Sequence, residues 1–225
     1  MLELHIPAGA HPVLGSITTS VAAGDRICLM GPSGIGKTTL LNLIAGLDGS
    51  TRRTQPIVPD TVRIGYLFQE HRLLPWRTLR QNLMLVGVKA SRVPELLAQV
   101  GLEESADLLP DQLSLGMARR AALARCLAVE PDLLLLDEPF ASLDAGRAEE
   151  LQALILSLLK ARPGVAMICV THEWRDARRL ADRVWYLSGK PARLECDESL
   201  EAAESSVNAM HCIMKDNKQV NEPDV

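Results

Sequence analysis

Aromatic side chains are scarce in this sequence, which has three Trp, two Tyr and two Phe among 225 residues. None of them lies in residues 1–30. No stretch reaches about 18 uninterrupted apolar residues, so no transmembrane helix is predicted. The N-terminus lacks the basic-then-apolar pattern of a secretory signal. The five cysteines are scattered and odd in number, and three lie in apolar runs, which favours reduced core thiols in a cytosolic compartment.

A strongly basic surface is also absent. The net charge is −4, but residues 195–225 hold eight acids and two lysines, which gives −6 and leaves the other 194 residues at +2. A near-neutral body has no electrostatic footprint for nucleic acid, so we expect no nucleic-acid partner. The sequence predicts one domain over residues 1–194 and an acidic, disordered tail over residues 195–225.

A glycine-rich stretch, Gly31–Thr39, follows the apolar run Ile27–Met30 and precedes the helix-like run Leu40–Ala45. Strand, glycine-rich turn and helix together are the context of a phosphate-binding loop. The amides of such a loop and the N-terminus of the next helix attract anions. Lys37 can reach the β- and γ-phosphates of a nucleotide, and the Thr38 hydroxyl can ligate Mg²⁺. The alternative is a structural turn that carries an exposed lysine.

The order of predicted elements indicates an α/β fold with a mostly parallel central sheet. The alternation at Leu2–Ile6 predicts an N-terminal antiparallel β edge. Further strands are predicted at Arg26–Met30, Val62–Phe68, Leu133–Leu136, Val165–Val170 and Arg183–Leu187. Residues 77–129 read as a run of helices that interrupts the alternation of strands and helices, which predicts an inserted helical subdomain.

Polar side chains follow three of the predicted strands. Asp137 and Glu138 come after Leu133–Leu136, Gln69 follows a second strand and His172 follows a third. In open α/β sheets ligands bind at the carboxyl ends of the strands. Asp137 is therefore placed to hold Mg²⁺, and Glu138 to act as a general base toward water. Gln69 is placed near the same ion and water, and His172 near the γ-phosphate. The alternatives are two solvated acids and a structural histidine.

Taken in order, six motifs resemble those of the ATP-binding subunits of ABC transporters. They are the Walker A stretch Gly31–Thr39, Gln69, the signature-like Leu113–Met117, the Walker B stretch Leu133–Pro139, Ser142–Asp144 and His172. The resemblance covers about residues 1–194, and the series is far more specific than any single motif.

The resemblance implies a P-loop NTPase fold and ATP hydrolysis with ATP and Mg²⁺ as cofactors. The implied ATP-binding residues are Gly31, Pro32, Ser33, Gly34, Ile35, Gly36, Lys37, Thr38 and Thr39, with Ser114 and Gly116 supplied by a second copy. The implied Mg²⁺ residues are Thr38, Gln69 and Asp137. The implied catalytic residues are Glu138 as base, His172 at the γ-phosphate and Gln69 as sensor.

The implied partners are a second copy in a head-to-tail dimer, an integral membrane permease and a solute-binding protein. The implied location is the cytoplasmic side of the cell membrane. In such a dimer each ATP lies between the Walker A loop of one copy and the signature helix N-terminus of the other, and Asp144 lies in a loop that crosses the interface. An isolated half-site is then expected to be nearly inactive.

The sequence departs from the family pattern in two places. Leu115 replaces a signature glycine, and Met117 replaces a polar residue. The family usually stacks adenine on an aromatic residue upstream of Walker A, and the corresponding region here has none, so His5 or His11 is the candidate substitute. We expect the contact with the base to be weak.

The stretch Gln69–Trp76 is similar to that of importer ATPases for nitrate, sulfonate, taurine and thiamine precursors, which favours import of a small anion or similar solute. Its apolar part, Leu73–Trp76, predicts a partner surface, and the alternative is packing within the helical block. Two other functions stay open. A soluble ABC ATPase acting on DNA or ribosomes usually has coiled-coil insertions or two cassettes, and neither is present. A non-hydrolysing regulatory module is disfavoured by the predicted catalytic residues and kept open by Leu115 and Met117.

Overall fold

The computed structural model describes residues 1–47 and 57–205. Its strands are β1 Leu2–Ile6, β2 Ile17–Val21, β3 Arg26–Met30, β4 Ile64–Leu67, β5 Leu133–Asp137, β6 Ala166–Val170, β7 Arg183–Ser188 and β8 Arg193–Ser199. Its α-helices are α1 Lys37–Ile44, α2 Leu79–Met84, α3 Val93–Ala98, α4 Leu115–Ala128, α5 Ala145–Lys160, α6 Trp174–Leu180 and α7 Leu200–Ser205. The chain divides into two compact units, the first formed by Met1–Asp60 with Ile168–Val225 and the second by Thr61–Met167.

The first unit begins with an antiparallel pair of strands. β1 pairs with β2 so that Leu2 lies opposite Val21 and Ile6 opposite Ile17. Leu4 and Ile6 are buried while the residues between and before them are more exposed, as the sequence alternation requires. The predicted N-terminal antiparallel edge is therefore confirmed.

A parallel pair of strands lies at the centre of the other sheet strands of the first unit. β3 pairs in parallel with β7, with Ile27 opposite Arg183 and Met30 opposite Tyr186. The strands of this unit are ordered β6, β3, β7, β8. Residues 27–30 are all buried, which suits a central strand covered on both faces. The carboxyl end of β3 therefore delivers the chain into the glycine-rich stretch from a rigid core.

Strand β8 corrects the predicted domain end at residue 194. It pairs antiparallel with β7, and Asp197 lies opposite Trp185. Arg183 donates to both carboxylate oxygens of Asp197 at 2.5 and 2.7 Å, and Thr19 donates to Oδ2 at 2.6 Å. Residues 195–205 therefore lie in β8 and α7 instead of a disordered tail, because Asp197 is paired with Arg183 and Thr19. The rest of the predicted tail lies outside the described residues.

The second unit combines parallel strands with the inserted helices. β4 pairs in parallel with β5, with Ile64 opposite Leu133 and Leu67 opposite Leu136. Helices α2, α3 and α4 occupy the chain between these strands, which is the helical insertion of the predicted fold class. Thr78 caps α2 through a reciprocal pair of hydrogen bonds with Gln81. The α4 backbone packs so close to β4 that a Cβ on Gly65 would lie 2.7 Å from the Cys126 carbonyl oxygen.

The fold class is thus α/β with a mostly parallel central sheet, as predicted. Within residues 1–47 and 57–205, no helix is long and apolar enough to cross a membrane.

Candidate active site

The glycine-rich loop after β3 has a backbone that only glycine supports well. Gly31, Gly34 and Gly36 have φ angles of 143°, 73° and 113°, in the region that side chains disfavour. A Cβ on Gly31 would also lie 2.4 Å from the Leu187 carbonyl oxygen. The loop therefore folds back on β7 at Gly31 and reaches the N-terminus of α1 through Gly36, which is the N-cap residue.

Lys37 lies across this loop. Its ammonium donates to the carbonyl oxygens of Gly31 and Pro32 at 2.7 and 2.9 Å, and the residue is 7% exposed. Ser33, Gly34 and Thr38 face solvent. No acidic residue lies in the first turn of α1, so the positive end of the helix dipole is not neutralised there. A glycine cradle with a fixed ammonium and a helix N-terminus fits a polyphosphate.

His172 follows β6 in the same unit and is presented by a fixed turn. The Thr171 hydroxyl donates to Asp176 at 2.7 Å and accepts from the Glu173 amide at 3.1 Å. The imidazole itself is largely exposed, with Nε2 3.6 Å from a Glu173 carboxylate oxygen. The exposed ring on a rigid turn is available to a ligand, in keeping with its position at a strand end.

In the second unit, Asp137 is the last residue of β5 and is 3% exposed. Burial raises the pKa of Tyr66, and the nearby Asp137 carboxylate raises it further. A buried carboxylate at the end of a parallel strand is an oxygen ligand of the type that Mg²⁺ prefers.

Glu138 and Gln69 are brought together by the fold. Gln69 Nε2 donates to Glu138 Oε2 at 3.3 Å, although the two residues lie at the ends of different strands. Glu138 has a φ of 47°, a conformation that costs a residue with a side chain about 1–2 kcal/mol. Such strain at a candidate catalytic position needs support from its surroundings.

Two arginines of α4 hold the loops that carry Glu138 and Gln69, and both were missed in the sequence. Arg119 Nη1 donates to the Glu138 carbonyl oxygen at 3.1 Å and to that of Pro139, and Nη2 donates to that of Ala141. Arg125 donates to the carbonyl oxygens of His71 and Arg72 at 3.0 and 2.7 Å. The signal was available, because residue 119 falls on the buried stripe of α4 with residues 118, 122 and 126.

The signature-like segment opens α4. Ser114 is the N-cap residue, and its hydroxyl accepts from the Met117 amide at 3.2 Å. Leu115 is 42% exposed at the first helical position, so its side chain is not part of the core. Ser114 and Gly116 line a cavity of about 220 Å³ together with residues of α5, among others. Asp144 caps α5 by accepting from the Arg147 amide at 3.0 Å.

The predicted residues thus fall into two groups. The first unit holds the loop Gly31–Thr39 and His172. The second holds Gln69, Asp137 and Glu138 at strand ends and Ser114 with Gly116 at a helix start. Within the second unit Gln69 and Glu138 are in contact, and α4 connects Ser114 to the Glu138 backbone through Arg119.

A phosphate-binding loop of this kind occurs in several protein families, and comparison with known proteins identifies the family of this chain. The family model described as ABC transporter matches residues 14–141. The chain belongs to the ABC transporter family.

Relatives of this ABC protein carry names from one group. It is 42% identical over 215 residues, covering 90% of this chain and 79% of the relative, to aliphatic sulfonates import ATP-binding protein SsuB 2 of Burkholderia cenocepacia (strain HI2424). It is 41% identical over 208 residues, covering 86% of this chain and 83% of the relative, to SsuB 1 of Pseudomonas aeruginosa (strain UCBPP-PA14).

Among solved structures, the chain resembles the dimeric structure of MJ0796, a bacterial ABC transporter cassette. The TM-score is 0.70 at 30% identity, covering 88% of this chain and 96% of the other. A post-hydrolysis state of the same cassette, bound to ADP and Pi, gives a TM-score of 0.69 at 30% identity, with the same coverage of both chains. This ABC protein is therefore an ATP-binding ATPase coupled to transport.

The two candidate substitutes for an aromatic base contact occupy different places. His5 lies in β1, exposed, with Nδ1 3.0 Å from the Thr18 hydroxyl. His11 lies in a loop in which its Nδ1 accepts from the Val13 amide at 3.3 Å. Val13 adjoins the phosphate loop, because a Cβ on Gly36 would lie 3.2 Å from its Cγ2. Within the first unit, the His11 loop is therefore the one beside the phosphate loop.

Proposed function

We propose that this chain is the ATP-hydrolysing subunit of an importer for aliphatic sulfonates or similar small anions, and that it works as a head-to-tail dimer on the cytoplasmic side of the membrane. The observation that carries the hydrolytic part is the hydrogen bond between Gln69 and Glu138. The names of the relatives, which are import ATP-binding proteins for aliphatic sulfonates, support the transport part.

The phosphates of ATP bind the loop Gly31–Thr39. Its amides and the α1 N-terminus attract the phosphate oxygens, and Lys37, already fixed over the loop by two carbonyl oxygens, supplies the cation. The base lies against the exposed surface of Val13 with His11 beside it. An isopropyl group and one imidazole offer less stacking area than an indole or phenol, so we expect weak discrimination among bases.

Thr38, Gln69 and Asp137 are the proposed Mg²⁺ residues. Their donor set of hydroxyl, amide and carboxylate oxygens suits this hard cation. Mg²⁺, when bound, neutralises charge on the phosphates. Asp137 carries the charge of this set, and the apolar strand around it keeps its carboxylate at the carboxyl end of β5.

Glu138 is the proposed general base. Its carboxylate accepts a proton from the attacking water, while the Gln69 amide, in contact with it at 3.3 Å, orients that water. His172 donates a hydrogen bond to the γ-phosphate from its fixed turn. The backbone around Glu138 has to be fixed, because a general base must stay within hydrogen-bond reach of the proton that it abstracts.

Ser114 and Gly116 are proposed to complete the site of a second copy. The N-terminus of α4 presents amide groups and the Ser114 hydroxyl to the γ-phosphate of the partner's ATP. The dimeric form of the MJ0796 cassette supports this arrangement. Replacement of glycine by Leu115 is compatible with it, because the Leu115 side chain is 42% exposed instead of filling the core.

The permease is proposed to dock on the second unit next to Gln69. A groove of about 400 Å³ is lined mainly by apolar residues of β4 and of the segments that follow β4, α2 and α4. Beside it in the chain, Leu73 is buried but Trp76 is 70% exposed, and an exposed indole is a frequent contact in protein interfaces. Of the predicted partner surface Leu73–Trp76, Leu74 lines the groove, Pro75 and Trp76 are exposed, and Leu73 packs locally.

Co-purification from membranes tests the proposal. The tagged chain, expressed with its neighbouring genes and extracted in mild detergent, should bring down a hydrophobic permease that raises its ATPase rate. With a solute-binding protein added, aliphatic sulfonates should raise that rate further in proteoliposomes, and nitrate is the comparison solute. Recovery of a soluble nucleic-acid or ribosomal complex would overturn the proposal.

A further inference from the structure

Arg119 is a buried cation bound to backbone alone. It is 6% exposed, and its hydrogen bonds go to the carbonyl oxygens of Glu138, Pro139 and Ala141. Within residues 1–47 and 57–205, its Nε is buried without a hydrogen-bond partner. Burial of a guanidinium costs free energy unless its hydrogen bonds to the protein offset the loss of hydration. The three carbonyls lie within four consecutive residues, so Arg119 acts as a clamp on that short segment.

The backbone is strained at the first residue of the clamped segment and at the residue that follows it. Glu138 and Ser142 have φ angles of 47° and 62°, and neither is a glycine. Between them, the Ala141 amide donates to the Glu138 carbonyl oxygen at 3.2 Å, which closes a tight turn. The Glu138 carbonyl thus accepts from both Ala141 and Arg119. Without the guanidinium, the turn would lose the bonds that hold its carbonyls on one side.

The same helix holds the partner of Glu138. Arg125, six residues after Arg119 on α4, donates to the carbonyl oxygens of His71 and Arg72 just after Gln69. One rigid helix therefore fixes two loops whose side chains meet at the Gln69–Glu138 hydrogen bond. That helix begins at Ser114.

We propose that Arg119 is a positioning residue for Glu138, which clamps the segment Glu138–Ala141 to α4 and so holds the carboxylate in contact with Gln69. The proposal rests on the proposed role of Glu138 as general base. Through Arg119, a displacement of the helix that begins at Ser114 is passed directly to the catalytic carboxylate.

Amide hydrogen exchange on the nucleotide-free full chain tests the clamp without any activity. In Arg119→Gln, the peptide covering residues 138–144 should exchange at least about tenfold faster, because a lost bond lowers the free energy of local opening. The peptide covering residues 31–44 should be unchanged. Arg162→Gln is the matched control: Arg162 also bonds a carbonyl, that of Leu158, and the Gln99 side chain. It should leave both peptides unchanged.

Steady-state kinetics test the positioning role. Arg119→Gln should lower kcat for ATP about tenfold or more, with KM and the Kd for ATP nearly unchanged, because only the transition state needs the base. Arg119→Lys, which keeps a cation with three donors, should fold and recover part of the loss. In a Glu138→Gln background, Arg119→Gln should cause no further loss, because it acts through Glu138.

Three results would overturn the proposal. They are an unchanged exchange rate in residues 138–144, an unchanged kcat in a folded Arg119→Gln protein, and a full additional loss in the Glu138→Gln background. If the parent chain itself hydrolyses no ATP, the proposed function fails instead, and the exchange experiment still decides whether Arg119 clamps the segment.

Discussion

Gln69 and Glu138 are 69 positions apart in the chain, yet their side chains meet at 3.3 Å at the ends of the parallel strands β4 and β5. The contact places an amide donor on a carboxylate that has the backbone strain of a left-handed residue. An amide bound to a carboxylate can be displaced by water without a change of charge, so the pair is suited to admit and orient a nucleophile.

The glycine loop gives a matched pair of variants. Gly31→Ala should lower the free energy of unfolding by about 3 kcal/mol and abolish ATP binding, because its φ is 143° and its Cβ would meet the Leu187 carbonyl oxygen. Gly34→Ala should cost only about 1 kcal/mol. Its φ of 73° disfavours a side chain, but no atom lies within 4 Å of the added carbon. Urea unfolding and ATP titration measure both effects. Equal losses in the two variants would contradict the assigned contact.

The pairing of β8 makes a second test. Asp197→Asn should lower the free energy of unfolding by about 2 kcal/mol, because Arg183 would keep a half-buried charge with poorer partners. Glu195→Gln, on the same strand and exposed, is the control and should change it by less than about 0.5 kcal/mol. Thermal or urea unfolding provides the measurement. If Asp197→Asn matches the control, β8 is not held by this ion pair.

Local sequence signals predicted some elements of the fold accurately and missed others. The strand–loop–helix unit at residues 26–44 was predicted nearly to the residue, because its apolar run, glycines and helix start are all local signals. The strand ends Gln69, Asp137, Glu138 and His172 followed from the rule that parallel strands end at one edge. The element that the sequence did not predict, β8, is held by a contact between residues that are distant in the chain. β8 depends on Arg183, which is 14 positions from Asp197.

The Arg119 clamp was hidden for a similar reason. A charged residue on a helix is usually solvated, and only the carbonyl groups of residues 138–141 make burial of this one acceptable. Partner carbonyls are backbone atoms, so no residue type in the sequence marks them. Helical periodicity could have shown that residue 119 lies on the buried face, but not what it would bind.

The exposed indole tests the docking surface. Trp76→Ala should reduce recovery of the permease from detergent extracts by about tenfold, while the free energy of unfolding of the chain changes by less than about 0.5 kcal/mol. Trp76 is 70% exposed, so its removal leaves the fold intact. Leu47→Ala, at a residue 54% exposed in the first unit, is the control and should bind normally. Normal permease recovery with Trp76→Ala would place the docking surface elsewhere.

His71 makes stability depend on pH. Burial lowers the pKa of its imidazole, and the charges of Arg125 and Arg119 lower it further, against a smaller opposing effect of Glu70. In the unfolded chain the His71 imidazole binds a proton near its usual pKa of 6.5, whereas in the folded chain it binds that proton only at lower pH. This part of the stability is present above pH 6.5 and is lost as pH falls through the folded pKa.

Replacing that histidine should flatten the profile. In His71→Gln, the free energy of unfolding should fall less steeply below about pH 6.5 than in the parent. Urea unfolding at several pH values between about 5 and 7 measures the slopes. A steeper fall in His71→Gln would reverse the assigned sign.

The most direct test of the account is the rate of ATP hydrolysis by Glu138→Gln at saturating ATP and Mg²⁺. Loss of the general base should lower kcat by about 10² to 10⁴, while the Kd for ATP stays the same and ATP-bound dimers accumulate in gel filtration. Glutamine keeps the size of the side chain and can remain in contact with Gln69, so the fold is preserved. If Glu138→Gln hydrolyses ATP as fast as the parent, Glu138 is not the base and the catalytic assignment is wrong.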